Sequence, residues 1–381
     1  MIGSTMNRKK TGSPESEKVL SSRDLNRALL ARQMLLKRKK LSAASAIEHL
    51  VGMQSQLPNS PYVGLWSRLT GFKKSELIDL YNNREVVRLA MMRSTIHLVT
   101  SRDCLALRPI VQPVIERGLR GGYARFLRDS DHPEIEAAGR AIVEHAPATF
   151  SELSRRLNDR WPDRHAEAMS HVIRTRIPLV QVTPRGIWGA TSTASHTSAE
   201  HWLGSELNDH STVAELVTRY LAAFGPASVI DAQAWSGLTR LAPVFEELRP
   251  TLVTLRDEKG RELFDIPSAP RPGGDTIAPI RFLPEFDNVL LAYKDRSRII
   301  DPKYRARVYP NNGMIQPTVL VEGFVEGKWK VTTAGQKATL QIEAFRRFTK
   351  QEKTGIEAEG EKLLKFIAGK TKARDIKVSG P

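Results

Sequence analysis

A helix, a Gly/Pro turn, a second helix and then a hairpin recur along this chain, and a strand-rich segment with Gly-punctuated turns follows them. These observations predict an α+β fold of three tandem winged-helix units with a small C-terminal β-rich domain. Two of the units are visible by self-similarity. "EHAPATFSELSRRL" (144–157) and "AFGPASVIDAQAWSGL" (223–238) align at Pro147 with Pro226 and at Ala148 with Ala227. The third unit, at the N-terminal end, is inferred from the same plan.

Taken in order, residues 1–22 are polar and rich in Lys, Ser and Gly, which predicts a disordered basic arm. Residues 23–130 form the first unit. A helix from Asp24 carries the stripe Leu25, Ala28, Leu29, Leu35 and Leu36. After the basic break KRKK (37–40), Ser42 is placed to cap a helix with Ile47, Leu50 and Val51 on its apolar face. That helix, over 43–54, is expected to be the recognition-type helix. "VVRLAMMRSTIHLVT" (86–100) is its hairpin, turning near Arg93-Ser94, and "RGLRGGYAR" (117–125) ends a helix at Gly121-Gly122. The second unit is 131–200, with the hairpin "PLVQVTPRGIWGAT" (178–191) turning at Pro184 and Gly186. The third is 201–275, its hairpin 251–266 turning at Glu258-Lys259-Gly260. Residues 276–350 are the β-rich domain, with turns expected at Glu322-Gly323 and Glu326-Gly327. Residues 351–381 are a helix followed by a basic tail.

Composition narrows the function. Lys and Arg number 58 against 42 Asp and Glu, a net charge of +16. Such a balance points to an acidic partner, nucleic acid or an anionic membrane. No apolar run approaches the ~18 residues of a membrane span, and the N-terminus has no apolar signal core. Cys104 is the single cysteine, which excludes an internal disulfide and fits a reducing cytoplasm. It lies in the apolar run CLALRPIV and reads as a core residue. His132-Pro133-Glu134 has H-x-E spacing without a downstream Cys pair, and His196 and His201 are five apart. Neither makes a metal site, and no G-x-G-x-x-G, P-loop or G-x-S-x-G occurs. No metal or cofactor is expected.

The stretch "GMQSQLPNSPYVGLWSRL" (52–69) stands apart. Gln54 lies i+4 from Leu50, on the inward stripe of a helix. Pro58 disfavours helix at Leu57, so the chain should be leaving the helix near Gln56. Once it is extended, residues two apart face the same way, and the two amides can converge on one point.

This stretch resembles the signature of the winged-helix DNA glycosylase superfamily, the AlkZ-like proteins: Q-x-Q, a proline, then P-Y-x-G-L-W-x-R. "MRSTIHLV" (92–99), "PLVQVTPRGIWG" (178–189), "GPASVIDAQAWSGL" (225–238) and "FLPEFDNVLLAYKDRSRII" (282–300) match in family order over residues 24 to 350. The resemblance implies tandem winged helices forming a concave basic surface for double-stranded DNA. It implies hydrolysis of the N-glycosidic bond of alkylated purines, above all N7-alkylguanine, and in some members the unhooking of interstrand crosslinks. It makes Gln54 and Gln56 the catalytic pair, in the amide form rather than the Q-x-D of a related branch. Ser55 departs from the aliphatic residue usual between the glutamines, which leaves substrate range open.

An amide suits a base that already carries charge. It can fix a water by accepting and donating without taking its proton. A neutral purine would call for a carboxylate. Phosphate contacts are expected from Arg68, from Arg93 beside the first hairpin turn, and from Arg185 at the second wing. His97 either faces DNA or fills a core slot. A monomer in the cytoplasm, associated with the nucleoid, is the expected setting. The competing reading is a winged-helix regulator without catalysis, against which the chain offers no coiled coil or dimer helix.

Overall fold

A computed structural model describes residues 19–128, 131–208 and 210–381. The expected basic arm therefore lies outside the described residues except for its last four. Among these, Val19–Leu20 is a strand and Ser22 begins a helix, so the arm ends earlier than its composition implied.

The chain repeats one order three times: helix, short extended segment, two helices, hairpin. In the first repeat the helices are Ala43–His49, Ser60–Arg68 and Lys74–Asn82, and the hairpin is Val86–Ala90 with Ile96–Thr100. In the second they are His132–His145, Phe150–Arg160 and Ala166–Arg176, with strands Leu179–Gln181 and His196–Ser198. In the third they are Val213–Phe224, Val229–Ser236 and Ala242–Leu248, with strands Val253–Asp257 and Glu262–Asp265. Each short extended segment pairs with the returning strand of its own hairpin: Gln54 with His97, Ala148 with His196, Ala227 with Phe264. Gln54 thus occupies the place that a plain alanine fills in the other two repeats.

Side-chain caps fix several helix starts. Ser42 accepts from Ser45 N, while Thr149, Thr212 and Ser228 form capping boxes with Glu152, Glu215 and Asp231. The first two hairpins join through Leu89 and Val180 into a five-stranded sheet, with Met53–Gln54 at one edge. The third hairpin forms a separate sheet, where Val19–Leu20 adds a parallel edge strand. The helix Ser22–Arg32 packs on Val213–Phe224, and Arg32 closes a buried ion pair of 2.6 Å with Asp265. A last sheet runs in the order Ala373–Ser379, Lys337–Ala344, Phe324–Ala334, Thr318–Val321, Arg281–Leu283, with the helix Lys350–Ile367 against it. Among the described residues no helix is long and apolar enough to cross a membrane.

Five expectations change. The helix at 43 stops at His49, because Val51 (φ 54°) and Gly52 (φ 84°) turn left-handed and send the chain into the strand Met53–Gln54. A side chain at Gly52 would also meet Val99 Cγ1 at 2.7 Å. The helix that precedes the first hairpin is therefore Lys74–Asn82, not 43–54. The second hairpin returns at His196–Ser198 rather than at 187–191, since its partner register is Gln181 with His196. Glu326-Gly327 lies inside a strand, and the C-terminal basic tail is itself the strand Ala373–Ser379, parallel to Lys337–Ala344.

Candidate active site

The short strand Met53–Gln54 carries the Q-x-Q motif along the edge of the five-stranded sheet. Each of its three residues is held by a different donor. Arg93 Nη2 donates to Gln54 Oε1 at 2.7 Å. Arg88 donates from Nε to Ser55 Oγ at 3.0 Å and from Nη2 to the Ser55 carbonyl. The amide of Ile96 donates to Gln56 Oε1 at 2.8 Å, and Ser55 N donates back to Ile96 O at 2.7 Å.

A guanidinium and a backbone N–H can only donate, so the orientation of both carboxamides is fixed by chemistry. Each glutamine spends one lone pair of Oε1 internally, and its Nε2 has no partner among the described residues. Gln54 is only 6% exposed, whereas Gln56 is exposed. The pair therefore offers two amino donors and two remaining acceptor lone pairs, with the orientation of each amide already set.

The helix that follows anchors this edge. Tyr62 Oη donates to Gly186 O at 2.9 Å and accepts from Trp188 N at 3.2 Å, tying it to the second hairpin loop. Gly64 leaves room for Met53, whose Cε would lie 2.4 Å from any added Cβ. Trp66 stacks on Phe366 of the C-terminal helix at 5.8 Å. The motif's aromatic and glycine positions are packing contacts.

The four expected DNA contacts fare differently. Arg68 is fully buried and makes a two-pronged pair with Asp287, both contacts 2.8 Å, so it is a structural cation and not a phosphate ligand. Arg93 is half-buried, and its two Nη atoms are spent on Gln54 and on the Trp235 carbonyl of the third repeat. Burial, with Arg296 nearby, lowers its pKa to about 10, still cationic at neutral pH. It is a site residue rather than an outward phosphate contact. His97 is 2% exposed and fills the core position opposite Gln54. Burial and then Arg93 push its pKa down to about 3, so it is neutral, with Nδ1 donating to Thr95 O at 2.9 Å. Arg185 is half-buried and donates to Ser192 O within its own loop at 2.7 Å.

One contributor escaped the sequence reading. The segment Pro284-Glu285-Phe286-Asp287-Asn288 lies over two hundred residues away, yet it grips the motif region at three points. Asn288 Nδ2 donates to Gly52 O at 2.9 Å, and Gln54 N reaches Asn288 Oδ1 at 3.5 Å. Asp287 binds Arg68, and Ser60 Oγ donates to Glu285 at 3.0 Å. The signal available was a cluster of three polar residues inside an apolar run. Ile96, whose amide holds Gln56, also lines a cavity of about 390 Å³ with Phe150, Ile177, Leu179 and His196. No cluster of three or more His, Cys, Asp or Glu with metal-binding geometry occurs among the described residues. Cys104 is buried, its thiol pushed up to about 12 by desolvation.

The family described as DNA glycosylase AlkZ-like matches residues 47–366. A relative, the interstrand DNA cross-link repair glycosylase of Streptomyces sahachiroi, is 25% identical over 334 residues, covering 79% of this chain and 85% of its own. The solved structure of Streptomyces sahachiroi DNA glycosylase AlkZ has the same fold, with a TM-score of 0.76 at 20% identity over 95% of this chain and 100% of that one. The reading as a regulator without catalysis gives way to these matches. The family match spans the motif strand, its anchoring helix, all three hairpins and the 284–288 segment, and this chain belongs to the AlkZ-like family of DNA glycosylases.

Proposed function

We propose that this glycosylase hydrolyses the N-glycosidic bond of cationic N7-alkylguanine in duplex DNA, interstrand crosslinks included, using a water positioned by Gln54 and Gln56. The observation that carries the reading is the orientation of the two carboxamides, each locked through Oε1 by a donor that cannot be reversed. Water oxygen bonds to the anomeric carbon as the bond to N9 breaks. The bonding pair moves into the purine and neutralises the charge that alkylation placed there. The proton of the added water passes to solvent, so no carboxylate base is required. Positioning and orientation of this kind supply several kcal/mol of the barrier.

The three repeats are read as winged-helix units over 43–100, 132–198 and 213–265, with residues 19–32 completing the third rather than opening the first. The contacts of helix Ser22–Arg32 with Val213–Phe224 and Asp265 support that division. Duplex DNA is bound by the monomer along a concave basic face. The motif sits on a sheet edge with Gln56 exposed, an open position suited to a base still tied to both strands. The apolar recess beside Ile96 offers room for a bulky substituent.

The test is base release from duplexes carrying N7-methylguanine, a crosslink of that lesion, or a neutral adenine adduct. Wild type is expected to release N7-methylguanine fastest, and Gln54→Ala and Gln56→Ala each to lose about 10²-fold or more in rate, Gln56→Ala at unchanged melting temperature and Gln54→Ala at a lowered one, since it leaves Arg93 Nη2 without its acceptor. Faster release of the neutral adduct would overturn the cationic-lesion reading, and full activity in either variant would remove the glutamines from the chemistry.

A further inference from the structure

The residue between the two glutamines has a buried cation behind it. Arg88 sits in the middle of strand Val86–Ala90 and is 1% exposed, and no carboxylate pairs with it among the described residues. Burial is the main influence lowering its pKa, with Tyr81, Arg185 and Tyr62 as its charged or polar neighbours. A guanidinium taken out of water without a counter-ion is unfavourable unless its donors are used. An apolar side chain of similar size is often as stabilising or more so at such a position. Arg88 instead directs Nε and Nη2 at Ser55, one to the hydroxyl and one to the carbonyl, while its buried Nη1 has no hydrogen-bond partner among the described residues.

We infer that Arg88 is a positioning residue for the glycosylase reaction, acting through Ser55 to set the direction of Gln54 and Gln56. With Ser55 N bonded to Ile96 O and Ser55 O bonded to Arg88, the peptide groups on both sides of Ser55 are fixed. The two glutamine Cα atoms are therefore held at a set separation, and their side chains are then aimed by Arg93 and by the Ile96 amide. An aliphatic residue at 55 would offer Arg88 no side-chain acceptor, and a serine facing an aliphatic residue at 88 would lose its donor. Ser55 and Arg88 form one unit, and this unit explains why the chain carries a polar residue between its glutamines.

The inference rests on the proposed role of the glutamines, so both are tested together. Single-turnover release of N7-methylguanine, duplex affinity and melting temperature are measured for wild type, Gln54→Ala, Ser55→Ala, Arg88→Met and the double variant Ser55→Val/Arg88→Met. Gln side-chain amide signals are followed in glutamine-labelled protein. Arg88→Met is expected to lose about 10²-fold in rate with duplex affinity unchanged, in line with the cost of a 1 Å misplacement, and to shift the amide signals of Gln54 and Gln56. Ser55→Ala, which keeps the bond to the carbonyl, is expected to lose a few-fold. The double variant, which still lacks the bond to the Ser55 carbonyl, is expected to stay within a few-fold of Arg88→Met. If Arg88→Met keeps its rate and amide signals and changes only melting temperature, Arg88 is structural and the inference fails. Weaker duplex affinity at unchanged rate also overturns it, as does a double variant restored to the wild-type rate. Full activity in Gln54→Ala would instead sink the reading of the motif.

Discussion

Arg68 and Asp287 meet through two parallel contacts of 2.8 Å with both side chains out of water, so removing either strands the other's charge. Arg68→Ala is expected to lower stability by about 3–5 kcal/mol, read from chemical denaturation. The salt dependence of duplex binding should stay as in wild type, since no phosphate contact is lost. At His97 the expectation concerns pH. Its folded pKa, near 3, lies below the ordinary value of 6.5, so the folded state favours the neutral ring. That contribution is complete above about pH 6.5 and is lost as pH falls toward 3, because the unfolded chain takes up the proton first. His196, lowered to about 4 by burial, acts in the same direction. Melting temperature should therefore fall with acid from about pH 6.5 downward, and His97→Gln should flatten that slope. The same residues show what the sequence could reveal. The glutamines stood out through the family resemblance of the stretch 52–69, since a pair two apart carries little information by itself. Whether an arginine faces phosphate or a buried carboxylate was not legible, because Asp287 lies 219 positions from Arg68.

Among the elements, hairpins with strong turn signals and helices with a Ser or Thr cap could be read directly. Ser42, Gly260 and the turn at Arg93-Ser94 are examples. Three features could not. Val51 adopts a left-handed conformation that β-branched residues avoid, at a turn closed by Val51 N donating to Glu48 O and Gly52 N donating to Ile47 O. The returning strand His196–Ser198 is three residues long and is defined by its pairing with Gln181 and Ala148 rather than by its own pattern. The last strand, Ala373–Ser379, is mostly exposed and rich in charge, as edge strands tend to be, so it reads as a tail. Its parallel pairing with Lys337–Ala344 requires the intervening helix as a crossover. A chain ending at residue 370 is expected to lose that edge, to melt at lower temperature, and to uncover the charged edge of Lys337–Ala344 to proteolysis.

At the scale of the whole molecule, net charge proved an incomplete guide to surface. Among the described residues seven arginines, at 27, 32, 68, 88, 108, 281 and 298, are buried, so part of the basic excess serves the interior. Glycosylase activity is expected to survive prolonged treatment with EDTA, since no side chain of the proposed site is a metal ligand. A residual activity below one-tenth of the starting value would contradict that. The pair of Arg32 with Asp265 has a further consequence, one of timing. The helix Ser22–Arg32 leaves the ribosome ahead of its partner, which follows 233 residues later. At synthesis rates of roughly 5–20 residues per second that is a wait of about 12–47 s. During that interval Leu25 lacks Leu255 and Leu263, with which it shares a core cluster in the fold. The third repeat cannot finish folding as a nascent segment on its own sequence. It is completed by a strand and helix translated well before it, so this part of the fold closes only after Asp265 has emerged.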